Sequence, residues 1–291
     1  MSISNSKSIL IKAAKGKYAV GAFNITSISQ LQAVVEASEA ARSPLIIQTS
    51  VGTVEIMGTK LLVSAFRAIA EDVSIPVALH LDHCTDVEFC KKCIDAGYTS
   101  IMYDGSKKSF EENIRTTAEV VAYARKKGDI SVEGELGTVS GVEDQIKVAE
   151  NEAELCNPVQ AVRYVAESGV DLFAPAIGTA HGIYTTENPK IDVDRLGNIG
   201  KLLAEKKLNV PLVVHGGTGL KEDLVVKLIA AGAAKYNVST ELKHVWLDGA
   251  WEYLQKHLTD YNPSKMAKEQ KKKTAEAIAE WIRILGSKDK A

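Results

Sequence analysis

The stretch Pro76-Val77-Ala78-Leu79-His80-Leu81-Asp82-His83 joins an apolar run to an acid and an imidazole. Such a run reads as a buried strand, and its end delivers a proton-transfer group and a metal ligand to the rim of a core. Other runs end alike. Ser100 to Asp104 finishes on an acid, Ile130 to Leu136 carries Glu133 and Glu135, and Leu172 to Ile177 leads into Gly178-Thr179-Ala180-His181-Gly182. Pro211 to His215 opens into Gly216-Gly217-Thr218-Gly219, and Lys235 to Val238 carries Asn237 and leads to Thr240. Six polar ends converging on one rim would be costly to bury without a task.

Three imidazoles, His83, His181 and His215, leaving separate strands can surround one Zn²⁺ and keep a position open for substrate. Glu135 and Asp104 are candidates for an oxygen ligand or for orienting the rings. His80 and His83 are three apart, so an extended strand should point them to opposite faces, and they are not read as a chelating pair. His244 and His257 are expected at the surface. The two glycine- and hydroxyl-bearing loops, Gly216 to Gly219 and Asn237 to Thr240, each lead from a strand into a helix. Free backbone N–H groups there suit a phosphate, and glycine lets an anion come close. The substrate should then carry a phosphate a few atoms from a group that the metal can bind. The long segment Gly137 to Asn157 reads as a mobile lid that brings Glu143 in as a base.

Positioning these groups requires strands and helices in strict alternation, and the chain supplies them. Strands are expected at Tyr18 to Asn24, Pro44 to Thr49, Pro76 to His83, Ser100 to Asp104, Ile130 to Leu136, Leu172 to Ile177, Pro211 to His215 and Lys235 to Val238. Helices are expected at Ser29 to Ala41, Lys60 to Glu71, Val87 to Ala96, Phe110 to Lys126, Val159 to Ser168, Val193 to Lys206, Glu222 to Ala231 and Glu241 to Leu258. Eight strand-helix units predict an α/β fold, a closed (β/α)8 TIM barrel. An open doubly wound sheet would call for Gly-x-Gly-x-x-Gly after the first strand, where Ile25-Thr26-Ser27 stands. A tail helix from Pro263 to Leu285, capped by Asn262, carries an apolar stripe to pack on the barrel or across a subunit interface. The whole of 1–291 reads as one catalytic domain that includes this extension.

With 291 residues, 45% apolar and 25% charged, the chain can build a large core. A net charge of −2 with no basic block gives no reason to expect a nucleic-acid partner. Neither a signal peptide nor a membrane-length apolar run is evident, so a cytoplasmic location is expected. Cys84, Cys90, Cys93 and Cys156 are read as reduced thiols, with Cys90 and Cys93 inside a helix rather than forming a redox or zinc motif.

The motifs Leu81-Asp82-His83, Met102 to Ser106, Val132 to Gly137, Gly178 to Gly182, His215 to Gly219 and Asn237 to Thr240 resemble, in order, those of the class II zinc-dependent ketose-bisphosphate aldolases. Asn157 to Ala161, Gly178 to Tyr184 and Thr240 to Lys243 look most like the tagatose branch. The resemblance implies zinc on His83, His181 and His215, with Glu135 and Asp104 at a second or alternative metal position. It implies Asp82 as acid/base at the C4 hydroxyl and Glu143 moving the proton at the nucleophilic carbon of dihydroxyacetone phosphate. Gly182, Gly216, Gly217, Thr218, Asn237, Val238, Ser239 and Thr240 would hold that phosphate, with a monovalent cation (Na⁺ or K⁺) nearby, in a homodimer or homotetramer. Ser140, Cys84, Ser239 and Tyr236 depart from the usual residues, which bears on substrate preference rather than on the ligands.

The expected activity is reversible aldol cleavage of a fructose or tagatose 1,6-bisphosphate. A lysine Schiff base is the other chemical solution, but the sixth strand has no lysine and Lys235 is expected at the wrong end of the eighth. The rivals are an aldolase acting on another phosphorylated keto sugar acid, a metal-dependent hydrolase, and a non-catalytic phosphosugar-binding subunit.

Overall fold

In a computed structural model, which describes residues 2–291 apart from 144, 145, 149–152, 185, 187 and 188 and only the backbone of 142, 143 and 146–148, eight parallel strands close into a barrel. They are β1 (Val20–Asn24), β2 (Leu45–Ser50), β3 (Val77–Cys84), β4 (Ser100–Tyr103), β5 (Ser131–Leu136), β8 (Leu172–Pro175), β10 (Leu212–Val214) and β11 (Ala233–Val238). Each pairs with the next, and β11 returns to β1. The surrounding helices are α2 (Ile28–Ala40), α4 (Thr59–Glu71), α5 (Val87–Ala96), α6 (Phe110–Lys127), α7 (Pro158–Ser168), α8 (Val193–Glu205), α9 (Glu222–Ala230) and α10 (Thr240–Lys256). The expected TIM barrel is the observed fold.

Three elements stand where no element was expected. α1 (Ser6–Gly16) follows an Asn5 cap and closes the N-terminal end of the barrel. Its Ile9, Leu10 and Ala13 pack on the inward Val20, Ala22, Ile46, Ala78, Leu172 and Val213. α3 (Val51–Met57) is a short helix between β2 and α4. The third is a β-hairpin within 137–157, the segment read as a mobile lid. There β6 (Ser140–Glu143) pairs antiparallel with β7 (Ile146–Val148), and on its other edge β6 pairs parallel with β9 (Ala180–His181).

Alternation along each strand builds two cores. Outward residues such as Leu79, Leu81, Ile101, Val132, Phe173, Val214 and Val238 pack under the helices. Inward residues form layers: an apolar floor over α1, then buried polar groups including Gln48, His80, Ser100, Ser131, Glu133, Lys235 and Asn237, then the ionisable mouth. The last helix, α11 (Pro263–Leu285), begins with the expected Asn262 cap, whose side chain accepts from the N–H groups of Ser264 and Lys265. It packs on its own barrel, against α10, α2 and β1, burying Ile278, Trp281, Ile282 and Leu285.

Candidate metal and substrate site

His83 reaches the mouth through a break in its strand. Asp82 points inward, so strict alternation would send His83 out beneath the helices. The β3–β4 register shifts between Leu81 and Cys84, and His83 takes φ +46°, which turns its ring back over the barrel. The expectation that His80 and His83 face opposite ways therefore fails at this bulge. His80 lies one layer below, with Nδ1 2.7 Å from Ser100 Oγ and Nε2 3.8 Å from Glu133 Oε2.

His83, His181 and His215 come together. One ring nitrogen from each lies within 4.8 Å of the others, and His83, Asp104 and Glu135 form a second such group. The ring centres of His83 and His215 are 4.5 Å apart, and those of His83 and His181 4.8 Å. Carboxylates fix the two buried rings. His83 Nδ1 donates to Asp104 Oδ2 at 2.9 Å, and His215 Nε2 donates to Glu133 Oε1 at 2.7 Å. The remaining nitrogens, His83 Nε2 and His215 Nδ1, then face each other at 2.7 Å. At that distance the two nitrogens must share either a proton or a metal cation, and the donor set of three imidazoles suits zinc.

The electrostatics agree. Burial opposes the charged form of His83, but Asp82, Asp104 and Glu135 outweigh it and hold the ring well above its ordinary pKa. For Glu135, burial and the neighbouring Asp104 charge push the carboxyl well above its usual range, and its Oε2 makes no hydrogen bond among the described residues. Burial, with the charge on His83, lowers His215 to about 4. Despite burial, Lys235 and His215 keep Glu133 below the carboxylate range. A divalent cation would answer both the surplus basicity at His83 and the disfavoured anion at Glu135.

Asp82 stands beside this cluster. Asn24 Nδ2 donates to its Oδ2 at 3.0 Å and Asn237 Nδ2 to its Oδ1 at 3.3 Å. Gln48 Nε2 in turn donates to Asn24 Oδ1 at 2.8 Å. Asn24 was missed in the sequence although it ends an apolar strand, the same signal that singled out the other strand ends. Lys235 was placed wrongly. It is the third residue of β11, buried inside the barrel, with Nζ 2.9 Å from both Glu133 Oε2 and Asn237 Oδ1.

A cleft next to the histidines is lined by Asp82, His181, Gly182, Gly216, Gly217, Thr218, Asn237, Ser239 and Thr240. Seven of the eight expected phosphate-loop residues are among these. Val238 is not, because its side chain lies in the outer core. Ser239 precedes α10 without capping it, and its buried Oγ has no hydrogen-bond partner among the described residues. Tyr184, also unforeseen, donates to Gly216 O at 2.6 Å and accepts from Ala180 N at 3.0 Å, stapling the His181 strand to the loop. Close backbone approach here requires glycine: a Cβ on Gly141 would lie 2.2 Å from His181 O, and one on Gly216 2.5 Å from Ala180 O. The Glu143 side chain lies outside the described residues. All four cysteines are buried and unpaired, and no helix among the described residues is long and apolar enough to cross a membrane.

Residues 4–290 match the profile of the family described as "Fructose-bisphosphate aldolase class-II". The chain belongs to that family. It is 38% identical over 291 residues, all of this chain and 99% of the relative, to a protein named sulfofructosephosphate aldolase from Alkalicoccus urumqiensis. It is equally 38% identical over 294 residues, with the same coverage, to a fructose-bisphosphate aldolase of Geobacillus stearothermophilus. The crystal structure of the YdjI aldolase from Escherichia coli K12 superposes with a TM-score of 0.85 at 29% identity, covering 99% of both chains. A class II aldolase fold with a candidate histidine metal site is thus in place, and the family implies a divalent metal and a phosphosugar substrate.

Proposed function

We propose that this chain is a zinc-dependent aldolase that reversibly cleaves a ketose 1,6-bisphosphate, fructose or tagatose, to dihydroxyacetone phosphate and glyceraldehyde 3-phosphate. The observation that carries the reading is the convergence of three imidazoles beside a doubly held carboxylate at the edge of a cleft with phosphate-suited loops. His83, His181 and His215 would hold the metal, with Asp104 and Glu135 offering an alternative position that shares His83. A zinc ion held by these residues would supply Lewis-acid polarisation of the C2 carbonyl.

The chain's own groups do the rest. Asp82, held by Asn24 and Asn237, takes the C4 hydroxyl proton during cleavage and returns it during condensation. Glu143, carried on the β6–β7 hairpin, moves the proton at the nucleophilic carbon. Backbone N–H groups around Gly182, Gly216, Gly217 and Thr218, and at Asn237, Val238, Ser239 and Thr240 before α10, receive the phosphate, with a sodium or potassium ion beside it. Location in the cytoplasm and assembly as a homo-oligomer belong to the same reading.

The test is cleavage of both bisphosphates before and after chelation, with zinc added back. Chelator-sensitive, zinc-restored release of triose phosphate is expected. Activity that survives chelation but is trapped by borohydride would overturn the assignment in favour of a lysine Schiff base. Asp82→Asn should lower kcat by about 10²–10⁴-fold with zinc content retained. A second reading follows from the Alkalicoccus relative at equal identity: a sulfonated ketose phosphate as preferred substrate. Comparing kcat/KM for sulfofructose phosphate with that for the two bisphosphates decides between them.

A further inference from the structure

One buried hydroxyl reaches the glycine loop after β10 from behind. In β11, Lys235 and Asn237 point inward, so alternation sends Tyr236 out beneath the helices, where it is fully buried. Tyr236 is in register with Val214, the last residue of β10, and the chain leaving β10 passes over its ring as His215-Gly216-Gly217. The Tyr236 hydroxyl donates to Gly217 O at 3.0 Å, and Leu220 N donates to the same oxygen at 3.3 Å. This approach needs a residue without a side chain at 217, where a Cβ would lie 2.2 Å from the Tyr236 ring. Tyr184 holds the preceding carbonyl, Gly216 O, at 2.6 Å. Two consecutive carbonyls of the loop are thus each taken by a phenol. In a trans peptide the N–H points away from the C=O, so the N–H groups of Gly217 and Thr218 point away from the two phenols. Both residues line the cleft, and neither N–H makes a hydrogen bond among the described residues. On its other side Tyr236 is backed by α11. The ring centres of Tyr236 and Trp281 are 5.4 Å apart, and Trp281 Nε1 donates at 3.0 Å to Glu241 Oε2, beside Thr240 at the start of α10. Burial holds the Tyr236 phenol well above its ordinary pKa, so it remains a donor at neutral pH.

We propose that Tyr236 is a positioning residue for the substrate's phosphate, its hydroxyl fixing the peptide between Gly217 and Thr218 so that the Thr218 N–H is presented to the anion. Tyr184 does the same for the Gly217 N–H through the peptide before it. The proposal rests on the phosphate-binding part of the function proposed above and adds what aims the donors. A backbone N–H that is already aimed loses little freedom when the anion arrives, which is where the affinity comes from. A tyrosine that served only to fill the space between β11, Gly217 and Trp281 would do so equally well without its oxygen.

The experiment compares the full-length wild type with Tyr236→Phe, which keeps the ring and removes only the donor; folding is checked by circular dichroism. Calorimetric affinity for inorganic phosphate and for dihydroxyacetone phosphate should fall about 2–12-fold, the worth of one neutral hydrogen bond. KM for the cleaved bisphosphate should rise by a like factor while kcat stays within about twofold, the mark of binding lost equally from ground and transition states. A folded variant with wild-type phosphate affinity overturns the proposal, and so does a wild type that binds no phosphate. The aldolase reading fails separately. A wild type that binds phosphate, loses affinity on Tyr236→Phe and yet cleaves no bisphosphate supports the positioning role while refuting the activity. Should the variant misfold, NMR of isotope-labelled wild type decides. Added phosphate should shift the Thr218 amide and the Tyr236 Cζ signal together; if either stays still, the proposal is overturned.

Discussion

At the scale of single residues, the carboxylate behind each of the two buried imidazoles, His83 and His215, decides which nitrogen is left for a metal. Glu133 accepts a hydrogen bond from His215 Nε2–H, so Nδ1 points into the cluster. Glu133→Gln would remove the anion that makes this ring a good donor. Zinc affinity should fall about 10–100-fold, read by competition with a fluorescent chelator, and an unchanged affinity would deny Glu133 that part. The residue types of the cluster were legible in the sequence because an acid or histidine ending an apolar run is chemically conspicuous. How His83 reaches the others was not, since φ +46° at a register shift is imposed by neighbouring strands rather than by local pattern. Lys235 was misjudged for a similar reason. A lysine near the start of a strand looks like a solvated end until Glu133, on a strand far away in sequence, is seen to hold it inside the barrel.

At the scale of elements, α1 acts as the floor of the barrel. Leu10 is fully buried in the inner apolar layer, so Leu10→Ala should cost about 2–5 kcal/mol of stability, measured by denaturant unfolding. Below that floor, Asp171 accepts from Lys7 Nζ at 2.8 Å, from Arg125 at 2.7 and 2.9 Å, and from Val132 N at 3.0 Å, tying α1 and α6 to the sheet. Burial raises its pKa, but these bonds outweigh it, so the folded value is depressed. The stability it contributes is present above the unfolded value near ~3.9 and is lost as pH falls through the lower folded value. Asp171→Asn should therefore destabilise at pH 7 by on the order of 1–3 kcal/mol, less than a fully buried pair because Lys7 and Arg125 are about half exposed. The gap from wild type should close below about pH 4; a pH-independent gap would show that the bonds, not the charge, matter. Sequence periodicity missed α1 because its lysines interrupt a short apolar stripe. It missed the β6–β7 hairpin because that strand draws its order from pairing with β9, a contact no local window contains.

At the scale of the whole molecule, the eightfold alternation was enough to read the barrel, and the order of the strand ends was enough to bring the rim residues together. The layering of the interior was not legible, because inward positions hold alanine and valine at one height and glutamate and lysine at the next. A charged mouth over a sealed floor makes the folded state the form that binds metal. Loading at a hundredfold excess over Kd should add about 2.7 kcal/mol. Chelation should then lower Tm by roughly 4–5 °C for a chain of 291 residues, reversed by zinc, and a Tm indifferent to chelator would contradict a metal held by the native barrel alone. One small ladder ties these scales together. His181 belongs to a two-residue strand whose neighbour is the hairpin strand β6, so its main chain is paired with the strand that carries Glu143. A leash shared this way transmits tension in both directions. Amides of Ser140, Gly141 and Ala180 should exchange with deuterated water more slowly once the imidazoles are occupied, although nothing bound there touches them.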